Sequence, residues 1–165
     1  MSYPRTIRNY NFFDDGTSYF GRASSCKLPG LKIKGFAHRG AGMDGPKQVD
    51  IGMEQMTSEV SFAEWAPSLI TSFGRNRRWT ARPAAMGHDD FIADAYVFTL
   101  GGDIHGVEPD ELKGGTEAML KVTMEVDYFK VVFNGDQLFE IDTERGIRKI
   151  GDEDQLASLR AAMGA

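Results

Sequence analysis

Residues 117–127 alternate between apolar and polar side chains. Ala118, Leu120, Val122, Met124 and Val126 hold one parity, and Glu117, Lys121, Thr123, Glu125 and Asp127 hold the other, with Met119 the one apolar exception. Period two predicts a strand with one dry face and one wet, charged face. The alternation slips at Tyr128-Phe129, which predicts a bulge. Asn134-Gly135 then stands as a two-residue hairpin turn between Val131–Phe133 and Gln137–Ile141. Tyr128, Phe129 and Ile141 are expected in the core.

The same reading extends upstream. Asn9–Phe13 and Thr17–Gly21 flank Asp14-Asp15-Gly16, a hairpin signal in which Asp14 and Asp15 serve as turn residues. Ser24–Leu28 and Leu31–Phe36 read as strands separated by Pro29-Gly30. Further strands are expected at Thr57–Phe62, Trp79–Met86 and Ile92–Ile104, with Arg75–Arg78 as a basic surface turn. Pro67 to Gly74 predicts a short helix with Leu69, Ile70 and Phe73 on one face. A terminal helix is predicted over about 152–163, with Asp152 as its cap, Gln155 completing a capping box, and Leu156, Leu159 and Met163 as a narrow apolar stripe. The expected fold is a single mainly β domain over residues 1–165, an antiparallel sandwich or barrel with a flanking helix and a C-terminal helix. Residues 37–48 interrupt it as a glycine-rich loop, long for a connection inside a compact domain.

Charge sharpens this picture. Residues 1–50 carry a net +4, residues 51–83 a net +1 and residues 84–165 a net −10. Two oppositely charged regions permit head-to-tail contacts between copies, although uneven surface solvation gives the same pattern. No concentrated basic surface suits a nucleic-acid binder. No apolar run approaches the ~20 residues that span a bilayer. The polar Met1–Tyr10 stretch predicts no secretory signal, and the single Cys26 excludes an internal disulfide, so folding in a reducing cytoplasm is expected.

The chemical motifs are weak. Gly40-Ala41-Gly42-Met43-Asp44-Gly45 fits the spacing of a dinucleotide fingerprint, but Pro46 and Val49-Asp50-Ile51 follow where a helix is needed. His88-Asp89-Asp90 and Asp103-Ile104-His105 each offer hard metal ligands, but read better as solvated turns. Cys26 reads as an inert buried thiol. Glu125 and Asp127 share a strand face with Lys121 and Thr123, which suits a wet surface better than an acid–base pair. No catalytic, cofactor or metal residue is assigned. A long strand with one charged face and a glycine-rich loop are instead compatible with a ring or tube subunit, in which neighbouring sheet edges pair.

A set of fragments in fixed order carries a resemblance. They are Asn11-x-Phe13, Gly16-x-Ser18-Tyr19-x-Gly21, Leu28-Pro29-x-Leu31, Arg39-Gly40-Ala41-Gly42-Met43-x-Gly45 and Val49-Asp50-x-Gly52. Tyr128-Phe129-Lys130, Asn134-Gly135, Glu140-Ile141-Asp142, Asp154-x-Leu156 and Arg160 complete them. Together they resemble the major tail tube protein family of contractile-tailed bacteriophages, including the tubes of R-type bacteriocins; residues 65–106 fit the pattern poorly.

The resemblance implies hexameric rings whose strands join into one large β-barrel around a channel. It also implies stacking of rings into a tube that encloses a tape measure protein and conducts DNA after sheath contraction. The implied partners are further copies of the chain, the sheath, the tape measure, and baseplate and tail terminator proteins. Location in the virion, with assembly in the host cytoplasm, follows. On this reading Arg39, Gly40, Ala41, Gly42, Met43 and Gly45 form an inter-subunit or ring-stacking loop. Glu117, Lys121, Thr123, Glu125 and Asp127 face the lumen. The alternatives are the tube of a bacteriocin or of a type VI secretion-like system, and a monomeric β-barrel binding module, against which the charged strand face speaks.

Overall fold

The computed structural model describes residues 3–165. In chain order its strands are β1 (Thr6–Asp14), β2 (Thr17–Ser18), β3 (Ala23–Lys27), β4 (Ile33–His38), β5 (Lys47–Met53) and β6 (Met56–Phe62). After helix α1 (Pro67–Ile70) come β7 (Asn76–Met86), β8 (Ala93–Pro109), β9 (Leu120–Phe133), β10 (Asp136–Asp142), β11 (Ile147–Ile150), β12 (Glu153–Asp154) and helix α2 (Ala157–Met163).

Strand β9 organises the rest. Strand β8 runs antiparallel along one whole edge of it, while β6 and β10 share the other edge, beside its first and second halves. Strands β7, β1 and β2 continue outward from β8, and β3 continues from β6. Leu120, Val122, Met124 and Val126 are buried as the alternation requires. The large sheet curls on itself, because Phe12 of β1 meets Phe62 of β6 edge-on at 5.6 Å although three strands separate β1 from β6 in the ladder. Tyr19 and Trp79 close the same aromatic cluster, 5.1 Å from Phe62 and 5.4 Å from Phe12. Among the described residues no ladder joins β1 to β3 or β6, so the subunit is an open, sandwich-like curl.

The bulge announced by the slip in β9 falls at Asp127. Tyr128 pairs with Gly101 and Val126 pairs with Gly102, which leaves Asp127 without a partner on β8. Gly102 is required there, since a Cβ would lie 1.9 Å from the Glu125 carbonyl oxygen. A second bulge on the facing strand leaves His105 unpaired between Ile104 and Gly106. Both predicted hairpin turns form, with Asp15 at φ 50° and Asn134 at φ 46° taking the positive-φ position that Asn and Asp tolerate.

Several boundaries move. The wet-face strand begins at Leu120, so Glu117 and Ala118 lie in the preceding loop. The glycine-rich loop shortens to residues 39–46, because β4 runs to His38 and the unforeseen β5 begins at Lys47. Thr17–Gly21 yields only the two-residue β2, after which Tyr19 accepts backbone N–H bonds from Arg22 and Ala23 and turns the chain. Arg75–Arg78 is no surface turn, since β7 starts at Asn76 and carries Arg77 and Arg78 into the sheet. Only Leu69 of α1 is buried, while Ile70 and Phe73 face outward.

The last helix starts at Ala157. Asp152 does not cap it, because residues 153–154 pair with β11 instead. Asp154 orders the start by accepting the Leu156 N–H at 3.1 Å and pairing with Arg160 at 2.5 Å. Its apolar stripe stays largely open, with Leu159 and Met163 exposed.

Asp14 is more than a turn residue. It is 2% exposed. Its carboxylate accepts Arg77 Nη2 at 2.6 Å and the indole N–H of Trp79 at 3.1 Å. A buried carboxylate held by a cation and a second donor is satisfied, and removing it strands both donors.

Candidate functional site

Two surfaces stand out. The first is an arm. Strands β4 and β5 pair only with each other, and the Arg39–Gly45 run forms their tip. Phe36 faces Val49 and Ile33 faces Met53 across the ribbon, yet Ile33 is 61% exposed and Phe36 51%. A two-stranded ribbon is marginal by itself in water and becomes stable when a face is covered. The tip is tight: Met43 N–H donates to the Gly40 carbonyl at 3.2 Å, and Arg39 Nε donates to the Met43 carbonyl at 3.3 Å. Gly42 sits at φ +84° with open space around its Cα, so it supplies a turn and a bare approach surface.

The arm is moored at its base. Lys32 accepts the Glu54 N–H at 2.8 Å, closing the ribbon where it leaves the body. Asp50 pairs with Arg148 of β11 at 2.6 Å, the one ion pair among the described residues that joins arm to body. The Arg148 side-chain bond and then the Gly52 N–H hold the Asp50 carboxyl below its ordinary range. A cleft of about 490 Å³ opens between the arm base, the β10–β11 hairpin and α2.

The second surface is the wet face of the large sheet. Lys121, Thr123 and Glu125 lie on it opposite Ser61, Glu59 and Thr57 of β6. Lys121 Nζ is 3.6 Å from Glu59 and 3.9 Å from Glu108, and His105 is 2.8 Å from Glu125. Arg78 stacks over the Tyr128 ring at 5.0 Å. Burial first, then the carboxylates of Glu144 and Asp103, push Asp127 above the usual carboxylate range. Carboxylates outnumber cations on this strip, so the strip is acidic. The structure therefore brings Lys121, Thr123, Glu125 and Asp127 together and leaves Glu117 off the strand.

The remaining candidates disperse. His88 is exposed, 3.8 Å from Asp89, and His105 belongs to the wet face. The dinucleotide-like glycines sit at a hairpin tip with no helix behind them. Burial raises the Cys26 thiol to about 11, which makes it a poor nucleophile.

Comparison with known proteins gives one consistent result. The family model "Phage tail tube protein FII" matches residues 4–164. The chain is 30% identical to the tail tube protein of Escherichia phage P2, over 99% of both chains. It is 24% identical to the major tail tube protein of Serratia phage KSP20, covering 86% of this chain and 85% of that one. The fold is similar to a chain in the extended sheath–tube complex of an extracellular contractile injection system. The TM-score is 0.58 at 8% identity, covering 79% of this chain and 92% of the other.

Proposed function

The chain belongs to the phage tail tube protein family, a structural component of the virion and not an enzyme, and on that premise we propose how its two surfaces build the tube. Copies associate into hexameric rings of a contractile tail, and the rings stack. The arm, with Arg39, Gly40, Ala41, Gly42, Met43 and Gly45 at its tip, lies against adjacent subunits or the next ring. The wet face of β9, with Lys121, Thr123, Glu125 and Asp127, lines the channel, and Glu117 lies at its approach.

The observation that carries this reading is the arm, a ribbon of apolar side chains that the subunit itself leaves uncovered. The acidic strip supports the lumen assignment. Phosphate contacts dominate affinity for DNA, so a channel wall that repels phosphate lets DNA slide. The tube surrounds the tape measure during assembly, is sheathed on its outside, and meets baseplate and terminator proteins at its ends. The likeness to an injection-system chain keeps a bacteriocin-like or injection-system tube as the second reading, which differs in cargo and not in subunit design.

Negative-stain electron microscopy and sedimentation of the purified protein test the assembly. Hollow rings or tubes with six-fold end views are expected, and helical reconstruction should then show the four β9 side chains in the channel. Finding them buried between subunits, or finding only monomers even with baseplate and tape measure partners, overturns the reading.

A further inference from the structure

The two faces of the arm differ. Residues that pair across an antiparallel ribbon share a face. Ile33, Gly35 and Ala37 therefore lie with Gln48 and Asp50 on the face moored to Arg148. The other, outer face carries Lys34, Phe36 and His38 of β4 with Val49 and Lys47 of β5. Phe36 and Val49 form its exposed apolar centre. Lys34 flanks that centre on the base side and Lys47 on the tip side, and neither is within ion-pair distance of a carboxylate among the described residues. The carboxylates of the arm stand elsewhere: Asp44 in the tip, Asp50 on the moored face, and Glu54 at the base opposite Lys32. The outer face thus fits a counterpart that is apolar and acidic.

The loop from β8 to β9 has that character. Its neck is closed by the Asp110 N–H, which donates to the Met119 carbonyl at 2.8 Å. Residues 110–117 are all exposed, and Leu112 is 77% so. Asp110 and Glu111 precede Leu112, Glu117 ends the loop, and Lys113 is its one cation, 3.4 Å from Glu111.

The arm and this loop lie toward opposite ends of β9. Met56, just past the arm base, pairs with Val126. Asp50 bonds Arg148, whose β10 partner Ile141 pairs with Phe129, so the arm runs toward the C-terminal end of β9. The acidic loop closes the other end, where Pro109 pairs with Leu120. The turn around Phe91 is acidic and apolar too, but Arg5 already engages its Asp90 and Asp94, and its bond to Asn134 puts it at the same end of β9 as the arm.

We propose that the outer face of the arm in one copy takes the 110–117 loop of a second copy, with Leu112 against Phe36 and Val49 and with Asp110 and Glu111 toward Lys34 and Lys47. A contact between two different patches at opposite ends of the subunit repeats from copy to copy, so it propagates an assembly. This rests on the self-assembly reading and names the surface that covers the arm.

The test uses the full chain. Carbodiimide coupling in a mixture of isotopically light and heavy copies, read by mass spectrometry, should link Lys34 or Lys47 of one copy to Asp110 or Glu111 of another. Lys34→Glu with Lys47→Glu should fold as wild type, since both side chains are exposed, and raise the critical concentration for assembly about tenfold. Asp110→Lys with Glu111→Lys should do the same. Combining all four substitutions should restore assembly, which damage to the fold cannot do. Wild-type tubes whose links run only to other segments, or a combined variant no better than either pair, overturn this contact and leave the tube reading standing. Duplex DNA held by the wild type and released by the Lys34 and Lys47 pair, without those links, gives the face to nucleic acid and overturns the contact as well. A wild-type chain that never assembles overturns the tube reading; the links then decide the contact, which stands if they form and falls if they do not.

Discussion

The body and the arm obey different rules. In the body, Phe12, Phe62, Trp79, Leu100 and Met124 are almost wholly removed from water, and the sheet folds over to make that possible. In the arm every residue of β4 is exposed, including Ile33 and Phe36. The body can be explained by what it buries alone. The arm has strand pairing, one ion pair and Met53 packed against the core at its base, and its outer apolar side chains are left uncovered by the subunit. Burial within the chain marks what makes the subunit fold, and apolar surface left outside marks what makes it assemble.

The sharpest way to break this contrast is to damage the body core. Phe62→Ala should lower unfolding free energy by about 4 kcal/mol in a denaturant titration, because it opens a cavity among Phe12 and Tyr19. Phe36→Ala in the arm should shift the same monomer curve by less than about 0.5 kcal/mol while impairing tube formation. Next in size, Asp14→Ala should cost about 3 kcal/mol, since Arg77 and the Trp79 indole lose a common acceptor. Equal stability of that variant and wild type would mean that the network is incidental.

Excising the arm tests the comparison from the other side. The Lys32 carbonyl and Glu54 N–H already meet, so a short Gly-Ser bridge replacing residues 33–53 should leave the melting temperature within about 4 °C of wild type. Sedimentation should then find no tubes. A collapse of the melting temperature would show that the body depends on the arm. Gly42→Val is the milder version: its φ of +84° strains a β-branched residue, at a cost of about 1–2 kcal/mol confined to the tip. Long tubes from that variant would remove the tip from the stacking interface.

The smallest effect concerns the mooring. The Asp50 carboxyl is depressed by Arg148 and the Gly52 N–H. Its contribution is therefore present above the ordinary carboxylate range and is lost as pH falls through the lower folded value. Hydrogen exchange of the β5 amides should be unchanged from neutral pH to about 5 and become faster relative to the body, after correction for intrinsic rates, below about 4. Asp50→Asn should show the fast exchange throughout. A wild-type arm equally protected at every pH would assign its position to apolar contacts at the cleft.

Much of the body was legible in the sequence because period-two patterning and turn dipeptides are local signals. Leu120–Val126, Asp15-Gly16 and Asn134-Gly135 needed no knowledge of distant residues. What escaped the reading was fixed at long range. Strand β5 was invisible because Val49-Asp50-Ile51-Gly52 has no buried parity, and its one ion pair to the body among the described residues, Asp50 with Arg148, spans 98 residues. Asp14 read as a turn residue because its partners Arg77 and Trp79 come from a strand far along the chain. The four wet-face residues of β9 were legible as a face, and Glu117 was misplaced only because the alternation runs on past the end of hydrogen bonding. The turn around Phe91 between β7 and β8 carried no pattern, and its hydrogen bonds come from Arg5, more than 80 residues away.

The paired bulges have a consequence for the geometry of the sheet. Asp127 advances the pairing of β9 against β8 by one residue, and His105 sets it back by one residue. The two phase shifts cancel, so the register at both ends is what an unbroken ladder would have, and the extra twist that a bulge brings is added at these two points. Deleting either residue alone would slide one end by a single step and turn its dry face outward. Deleting both would keep every outer pair in place and straighten the wall, which makes curvature a quantity this fold can alter without altering which side chains face which way.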